Sequence, residues 1–429
     1  MIPPPTAEPT PFASLRWRLG FLYAALFLVV GCYLPYLPVW LRWRQLDADA
    51  LALLLATPLF VRIIFTPLIS IVADHVGDRR TILIGLSYGS LISFLLLWAS
   101  SSFWTMFAAM VLLAINWTTI MPLSETVAAS GMRKAGLDYG KVRLWGSVSF
   151  IVASLATGMV IDRMGAVAVL PFLLIAVTFL VVGTHLVPKA LTAGMAIRRN
   201  KRRLRLADAV DLARSPTFML FVVAASLIAA SHAVYYAFGT IHWRAQGFSA
   251  GAIGMLWSIG VVAEIVLFIY SGRIIAKTGA SRLLMFAGLG AMLRWTCMGL
   301  DLPLIATALV QCLHALSFGA AHIAAIHFLA HAVPEDRAAT AQGFYAAIVA
   351  GLVLGVATIA SGPLYRTLAG GAYEVMAALA LLGTAGAFLL SAAGAEGSSS
   401  PPHHQRQASS LDLPQGRGRS RPDKRRGRS

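Results

Sequence analysis

The stretch LATPLFVRIIFTPLISIVADHVGDRR, residues 55 to 80, carries no charge before Asp74 except that of Arg62. A helix needs an apolar run of about 20 residues to cross the hydrocarbon core of a bilayer, which is about 30 Å thick. Arg62 precedes Asp74 by twelve residues, or about 18 Å along a helix that rises about 1.5 Å per residue. The stretch therefore predicts a membrane-spanning helix with a cation near the middle of the membrane.

The composition of the whole chain also indicates a membrane protein. Of its 429 residues, 58% are hydrophobic and 12% are charged, whereas about 25% of the residues in an average soluble protein are charged. This balance is typical of polytopic membrane proteins and argues against an ordinary water-soluble enzyme.

Apolar runs of spanning length recur twelve times, which predicts an all-α membrane protein. We expect an N-terminal six-helix bundle over residues 1–187, a cytoplasmic basic linker over 188–216, a C-terminal six-helix bundle over 217–391 and a disordered basic tail over 392–429. The linker segment LADAVDLARSP (206–216) predicts a short amphipathic surface helix. The twelve runs lie near residues 18–41, 50–72, 81–99, 103–125, 142–161, 167–187, 217–239, 250–272, 283–300, 303–332, 340–362 and 373–391.

Much of the net charge of +17 lies in two basic blocks, RRNKRRLR (198–205) and GRGRSRPDKRRGRS (416–429). Lys and Arg residues beside spans mark the cytoplasmic side of a membrane protein. The connections on the same side as the two termini hold most of these residues, so both termini are predicted in the cytoplasm. No recognition-helix or zinc pattern accompanies the blocks, so we expect no nucleic-acid partner.

The sequence gives no sign of a metal, a cofactor or an enzymatic centre. Its three cysteines lie in apolar stretches without disulfide or zinc spacing. His327 and His331 share a helical face but lack a third ligand nearby. No HExxH, GxSxG or P-loop motif is present, so we expect no cofactor, no enzyme activity and no ATP-driven pumping.

The two halves of the chain are related by an internal repeat. SIVADHVGDRR (70–80) follows the second run and GRIIAKTGASR (272–282) follows the eighth; aligning Gly77 with Gly279 sets Arg62 against Glu264. A charge at this depth costs at least about 2.5–3.5 kcal/mol and persists when it faces a cavity or a partner. Transporters built from repeated halves bind substrate there. The alternative is that both residues are structural locks, each paired within its own half.

The segment ADHVGDRR resembles the loop signature of the major facilitator superfamily. It departs from the pattern at Ser70, where a glycine is expected, and at Asp78, where a basic residue is usual. The resemblance implies a loop that switches conformation during transport, formed by Asp74, Gly77, Arg79 and Arg80.

Longer stretches resemble the bacterial 3-phenylpropionate transporters over about residues 15–390. The similar stretches are YLPYLPVWL (33–41), LDYGKVRLWGSVSFIVAS (137–154), YYAFGTIHWRAQGFSAGAIGMLWSIGVVAEIVLF (235–268) and LRWTCMGL (293–300). This resemblance implies the major facilitator fold, with 12 transmembrane helices in two pseudo-symmetric bundles. It also implies a monomer in the bacterial inner membrane that imports an aromatic carboxylate with a proton.

A more distant resemblance is to the lactose permease group of proton symporters. It implies functional roles for an acidic residue and an arginine in each half, which match Glu125 with Arg143 and Glu264 with Arg294. The histidine of that group corresponds to His314 or His322. Its acidic residue soon after the histidine is missing here, which leaves Glu264 and Glu125 as the main intramembrane acids.

A carboxylate substrate needs a cation, and a guanidinium can bind it with two hydrogen bonds. Since the permease resemblance pairs Arg294 with Glu264, Arg62 and Arg143 are the better substrate ligands; Arg143 could instead be a residue of the membrane edge. Glu264 is the first choice for the proton carrier and Glu125 the second. Further substrate contacts, or alternatively packing residues, are Tyr33, Tyr36, Tyr235, Tyr236, Trp145 and, as a hydrogen-bonding residue, Asn116.

Several other functions stay open at this point. Within transport, they are proton symport of a sugar or nucleoside and export of a drug. Outside transport, they are a membrane enzyme and a scaffold whose basic tail binds anionic lipid. The expected partners are therefore a small-molecule substrate, protons and the lipid bilayer.

Overall fold

The computed structural model describes residues 11–189, 206–334 and 337–394. The basic block 198–205 and the predicted tail beyond residue 394 lie outside the described residues. Throughout the described ranges the regular structure is helical, as the apolar runs predict.

The first half consists of six long helices and one short 3-10 turn. Polar side chains begin several of them: Asp47 accepts from the amide of Ala50, and Ser102 forms a capping box with Thr105. The helices are α1 (Pro11–Trp43), α2 (Ala48–Val76), α3 (Arg79–Ala99), α4 (Phe103–Ala135), α5 (Tyr139–Met164) and α6 (Val169–Leu186), with the turn at Ala166–Ala168 before α6.

The second half has more numerous and more irregular helices. Two π-helical segments, Ala315–Ala320 and Ala346–Val353, interrupt its α-helices, and a 3-10 turn, Ala369–Gly371, precedes the last one. The helices are α7 (Leu206–Ala213), α8 (Pro216–Ala230), α9 (Ala233–Ala245), α10 (Ala250–Met298), α11 (Leu304–Gln311), α12 (Ala321–Ala332), α13 (Ala338–Tyr345), α14 (Leu354–Leu368) and α15 (Ala372–Ala392). α7 forms the helix predicted in the linker, and its Asp211 pairs with Arg337 at 3.3 Å.

Ten continuous helical stretches of the described chain are long and apolar enough to cross a membrane. Two are much longer than the roughly 20 residues that one crossing needs: Ala250–Met298 has 49 residues and Ala338–Ala392 has 55. The first is broken inside α10 at Gly279, which has φ 71° and ψ 172°. The second contains the Ala369–Gly371 turn.

The break in α10 agrees with the repeat found in the sequence. Gly77 ends α2 with φ 70°, and its repeat partner Gly279 has φ 71°. Glycine adopts this left-handed region without the clash that a Cβ atom causes. The two segments after the second and eighth apolar runs therefore turn the chain at the same point.

One end of the bundle holds the two halves together, and we call this contact the Asp162 junction. It consists of Tyr36, Gly158 and Asp162 from the first half and Ala250, Gly251 and Gly254 from the second. Two ion pairs, Arg244–Asp162 at 3.5 Å and Arg366–Asp49 at 3.3 Å, also join the halves at this end.

The backbones of α5 and α10 approach each other closely at this junction. A Cβ atom on Gly158 would overlap the carbonyl oxygen of Ala250, and one on Gly254 would overlap that of Ser154. The Tyr36 hydroxyl lies 2.9 Å from both of these oxygens. Two glycines thus create the space in which one tyrosine bridges the halves.

Asp162 adds an electrostatic contact to the junction. Its two carboxylate oxygens accept from the backbone amides of Ala250 and Gly251, each at 2.7 Å. These amides begin α10, where the helix dipole favours a negative charge. A carboxylate of the first half therefore caps a helix of the second half.

We predict that Gly254→Val opens the Asp162 junction, because its side chain would overlap the Ser154 carbonyl. The measurement is maleimide labelling of a single thiol, introduced by Ala250→Cys in a chain whose three native cysteines are replaced by serine. Ala250 is buried, so labelling should be slow in the parent and clearly faster with Gly254→Val. Gly85→Val is the control, since a Cβ atom at Gly85 meets no atom within 4 Å. Equal labelling rates for the two variants would contradict this account.

Candidate substrate and proton site

Arg62 lies on the inner side of α2. Ile64, which is 60% exposed, lies about 200° farther around the helix at 3.6 residues per turn. Thr66, which shares a face with Arg62, contacts Thr118 and Thr119 of α4. The Arg62 side chain therefore points away from the lipid side of α2.

Arg62 has no ion pair and no side-chain hydrogen bond to any part of the chain that the structure describes. The neighbouring residue Ile63 lies against Gly351 of the second half. An unpaired guanidinium thus lies on the inner side of an apolar helix, beside the interface between the halves. This is the position from which it can bind an anionic ligand.

A second group, the Glu125 cluster, joins α1, α4 and α5. Glu125 Oε2 accepts from the hydroxyls of Tyr23 and Tyr139, both at 2.7 Å, and Glu125 Oε1 lies 3.5 Å from Nε of Arg143. The Arg143 guanidinium also lies 4.0 Å from the centre of the Phe27 ring. Arg143 is therefore neutralised by Glu125, and is not available as a free cation for a substrate carboxylate.

A third group, the Glu264 cluster, consists of Glu264, Arg294, Gln311, His314 and Ser317 in the second half. Arg294 is 0% exposed. It donates from Nη2 to Gln311 Oε1 at 2.6 Å and from Nη1 to Ser317 Oγ at 3.2 Å. Its Nη1 also lies 3.1 Å from Nδ1 of His314, whose Nε2 lies 3.4 Å from Oε2 of Glu264.

The contact with Arg294 fixes the protonation of the His314 ring. A guanidinium only donates hydrogen bonds, so Nδ1 of His314 must accept and carries no proton. The single proton of the neutral ring is then on Nε2 and faces the Glu264 carboxylate. His314 thus links the cation and the carboxylate of this cluster through its two ring nitrogens.

The structure corrects the expected direct pairing of Glu264 with Arg294. His314 lies between the two charges and links them through its two ring nitrogens. His322, the second residue of α12, continues a stack of parallel rings formed by His314, Phe318 and His322. Of the two histidines that the permease resemblance left open, His314 contacts both Glu264 and Arg294.

The predicted aromatic ligands divide into two groups. Tyr236 is partly exposed and packs against His232 and Trp257, whereas Tyr235 is buried beneath Arg294, 4.4 Å from its guanidinium. Tyr33 is half-buried against Phe94. Tyr236 and Tyr33 thus keep exposed surface that a substrate ring could contact, and Tyr235 supports Arg294.

Three other predicted ligands have different roles in the structure. Tyr36 is buried at the Asp162 junction, where its hydroxyl is occupied by two backbone oxygens. Asn116 donates to the Leu112 carbonyl of its own helix and lies against Gly89 of α3, between two helices of the first half. Trp145 packs on Trp17, with ring centres 5.7 Å apart. These residues lie on helices expected to face a central cavity, but the rotation of each helix gives their side chains the contacts described above.

The predicted switch loop is held within the first half. Arg79 pairs with Asp74 at 2.6 Å, and Arg80 donates to the carbonyls of His185 and Val187 at the end of α6. Asp78, the departure from the expected pattern, caps α3 by accepting from the amide of Arg80. Its acidic side chain thus stabilises the start of the helix that follows the loop.

Several residues of these clusters were missed in the sequence. Gln311 and Ser317 hold Arg294, and Tyr23 and Tyr139 hold Glu125. His232 lies at the break between α8 and α9, with a buried Nε2 atom that has no hydrogen-bond partner among the described residues. The available signal was a polar side chain inside an apolar run, as for Gln311 and His232.

Comparison with known proteins identifies the family. The sequence model of the MFS_1 like family matches residues 16–374. The chain belongs to the MFS_1 like family. This MFS-type chain is 31% identical over 371 residues to the "Probable 3-phenylpropionic acid transporter" of Escherichia coli (strain K12), covering 86% of this chain and 96% of the relative.

Two other relatives agree with this assignment. The "Maltose permease" of Geobacillus stearothermophilus is 28% identical over 357 residues, covering 82% of this chain and 88% of that protein. The crystal structure of the nucleoside transporter NupG superposes with a TM-score of 0.75 at 18% identity, covering 88% of this chain and 98% of that one. The predicted superfamily is confirmed, and the chain is a multi-pass membrane transporter of MFS type.

We predict that the Glu125–Arg143 contact contributes to the stability of this MFS-type bundle. Glu125→Gln or Arg143→Gln leaves one charge unpaired, so each should lower the melting temperature of the purified protein. The melting temperature of the double variant should fall by less than the sum of the two single decreases. Since both side chains are about 30% exposed, we expect a coupling near the lower end of the roughly 0.5–3 kcal/mol range for contacting pairs. Strictly additive losses would show that the contact has no energetic weight.

Proposed function

We propose that this transporter imports a small aromatic carboxylate, such as 3-phenylpropionate, together with a proton. It acts as a monomer in the bacterial inner membrane through twelve membrane-spanning helices, with both termini in the cytoplasm. The breaks at Gly279 and at Ala369–Gly371 support the count of twelve, because each divides one overlong helical stretch into two crossings.

The observation that carries the proposal is the unpaired guanidinium of Arg62. Arg143 is neutralised by Glu125, and Arg294 is buried against Gln311 and His314. Arg62 thus remains the available cation of the three that the sequence suggests. A guanidinium binds a carboxylate with two charge-assisted hydrogen bonds, and the 31% identical relative is named as a probable transporter of such an acid.

The charges of the three groups suggest how a proton is coupled to the substrate. When Glu264 is ionised, the Glu125–Arg143 and Glu264–Arg294 charges cancel, and Arg62 leaves a net charge of about +1. Protonation of Glu264 raises this charge by one, and binding of a carboxylate lowers it again. The empty site and the fully loaded site therefore carry the same charge, whereas a site with only one of the two ligands does not.

Equal charge lets the empty and the loaded forms both change conformation. The Asp162 junction joins the halves at one end of the bundle, and alternating access requires that it separate during the transport cycle. A half-loaded site would carry an extra or a missing charge through the low-dielectric interior, which raises the energy of that step. Coupling then follows from the cost of moving an unbalanced charge.

A sugar is the second candidate substrate. The Glu125–Arg143 pair keeps about 30% of its surface exposed and offers both donors and acceptors to hydroxyl groups. The relative named as a maltose permease also favours this alternative. An uncharged sugar leaves no use for the unpaired Arg62, so the carboxylate is the better fit.

We predict that Arg62→Gln abolishes high-affinity uptake of 3-phenylpropionate. Loss of a charge-assisted hydrogen bond costs about 1.5–3 kcal/mol, so KM should rise roughly 10- to 100-fold, with Arg62→Lys in between. The measurement is initial uptake of labelled substrate into proteoliposomes with an inward proton gradient. Arg163→Gln, which removes an exposed arginine from the end of α5, is the control and should transport as the wild type does.

The neutral amide of the same acid tests the role of the charge. The amide should inhibit uptake of the acid only weakly in the wild type, and it should inhibit uptake at least as well in Arg62→Gln. Unchanged KM in Arg62→Gln would refute Arg62 as the carboxylate ligand, and uptake of maltose in place of the acid would favour the sugar alternative.

We also predict that uptake is electroneutral, with about one proton for each monocarboxylate, because the empty and loaded sites carry the same charge. A potassium gradient with valinomycin imposes a membrane potential on proteoliposomes, and a pH gradient is imposed separately. Uptake should respond to the pH gradient and stay nearly constant when the potential is reversed. A strong response to the potential would contradict the charge balance.

A further inference from the structure

We propose that Gln311 is a positioning residue for proton coupling: it holds Arg294 against Nδ1 of His314 and so keeps the proton of that ring on Nε2, facing Glu264. This inference rests on the proposed function, in which Glu264 carries the proton. Gln311 does not touch Glu264 itself, and it acts through two intervening side chains.

The first step of the argument is the fixed geometry of Arg294. Its planar guanidinium is held on one edge by Gln311 Oε1, 2.6 Å from Nη2, and its central carbon lies 4.4 and 4.6 Å from the ring centres of Tyr235 and Trp295. Because the group is rigid and planar, fixing Nη2 also fixes the direction of Nη1. Nη1 then points at Nδ1 of His314 and at Ser317 Oγ.

The second step is the position of Gln311. The residue is 0% exposed, and its amide nitrogen contacts the sulfur of Met298 at 3.4 Å. It lies at the last position of α11, before the turn that carries His314 and before the π-helical segment Ala315–Ala320. Its side chain is thus confined to the direction in which it meets Arg294.

The third step is chemical. The amide of Gln311 accepts a hydrogen bond from Arg294 without cancelling its charge, so that charge is left for Glu264 to balance through His314. A carboxylate at position 311 would cancel the charge in place. An apolar side chain would release Arg294 to turn toward Glu264. With this neutral acceptor at position 311, the protonation of Glu264 depends on the charge of Arg294, which the His314 ring separates from it.

Opposite changes at this one position should move the pH dependence in opposite directions. Gln311→Glu adds a negative charge to the cluster, so Glu264 keeps its proton to higher pH. Gln311→Met is similar in size but accepts no hydrogen bond, so Arg294 approaches Glu264 and favours its ionised form. The other titratable or charged groups around the cluster are His232, Tyr235, Tyr236, His322, Tyr373 and, across the interface between the halves, Arg143.

The experiment is exchange of labelled for unlabelled 3-phenylpropionate in proteoliposomes with the same pH on both sides. Exchange uses only the loaded, protonated carrier, so its rate falls as pH rises past a midpoint. We expect the midpoint to move up by about one pH unit in Gln311→Glu and down by a similar amount in Gln311→Met. Gln342→Glu, which adds the same charge at an exposed position of α13, should leave the midpoint unchanged.

The outcomes distinguish a failure of the Gln311 inference from a failure of the proposed function. Slower exchange with an unmoved midpoint in both Gln311 variants would show a purely structural role and overturn this inference alone. Midpoints that move in the same direction would also overturn it. A wild-type protein that exchanges no aromatic carboxylate at any pH would overturn the proposed function, and this inference with it.

Discussion

The cost of keeping a charge inside a membrane governs the arrangement of this protein. Arginine, unlike histidine or lysine, does not lose its charge to avoid that cost. The three arginines that the sequence suggests as site residues, Arg62, Arg143 and Arg294, each have a different solution. Arg143 has an acidic partner in direct contact, Arg294 has one through a histidine, and Arg62 has none among the described residues. The missing partner of Arg62 is what a carboxylate substrate would supply.

The rest of the fold holds these charged side chains in fixed positions. The Asp162 junction joins the halves through backbone contacts at two glycines and through a carboxylate that caps α10. The π-helical segment after His314 and the break at Gly279 divide the second half into shorter pieces. Arg294 and Glu264 lie on either side of that break, so His314 can reach both.

The sequence alone predicted the parts of this account that depend on depth and charge. Hydropathy predicted the apolar helices, and the repeat aligned Gly77 with Gly279. The sequence analysis took Arg143 as a substrate ligand, however, whereas the structure places it beside Glu125. The sequence could not predict the direction of side chains around each helix axis. Asn116 has the right depth but faces α3, and Tyr36 is occupied at the junction. The π-helical segment also changes the rotation of the residues after His314, so a regular 3.6-residue period could not show which histidine meets Glu264.

The central claim is that a proton and a carboxylate enter the site together, the proton on Glu264 and the carboxylate on Arg62. The most direct test is the pH change when 3-phenylpropionate is added to the purified, detergent-solubilised protein in weak buffer, at a pH where Glu264 is ionised. The account predicts uptake of about one proton for each bound carboxylate, with none in Glu264→Gln that still binds the acid. Binding without proton uptake in the wild type would contradict it.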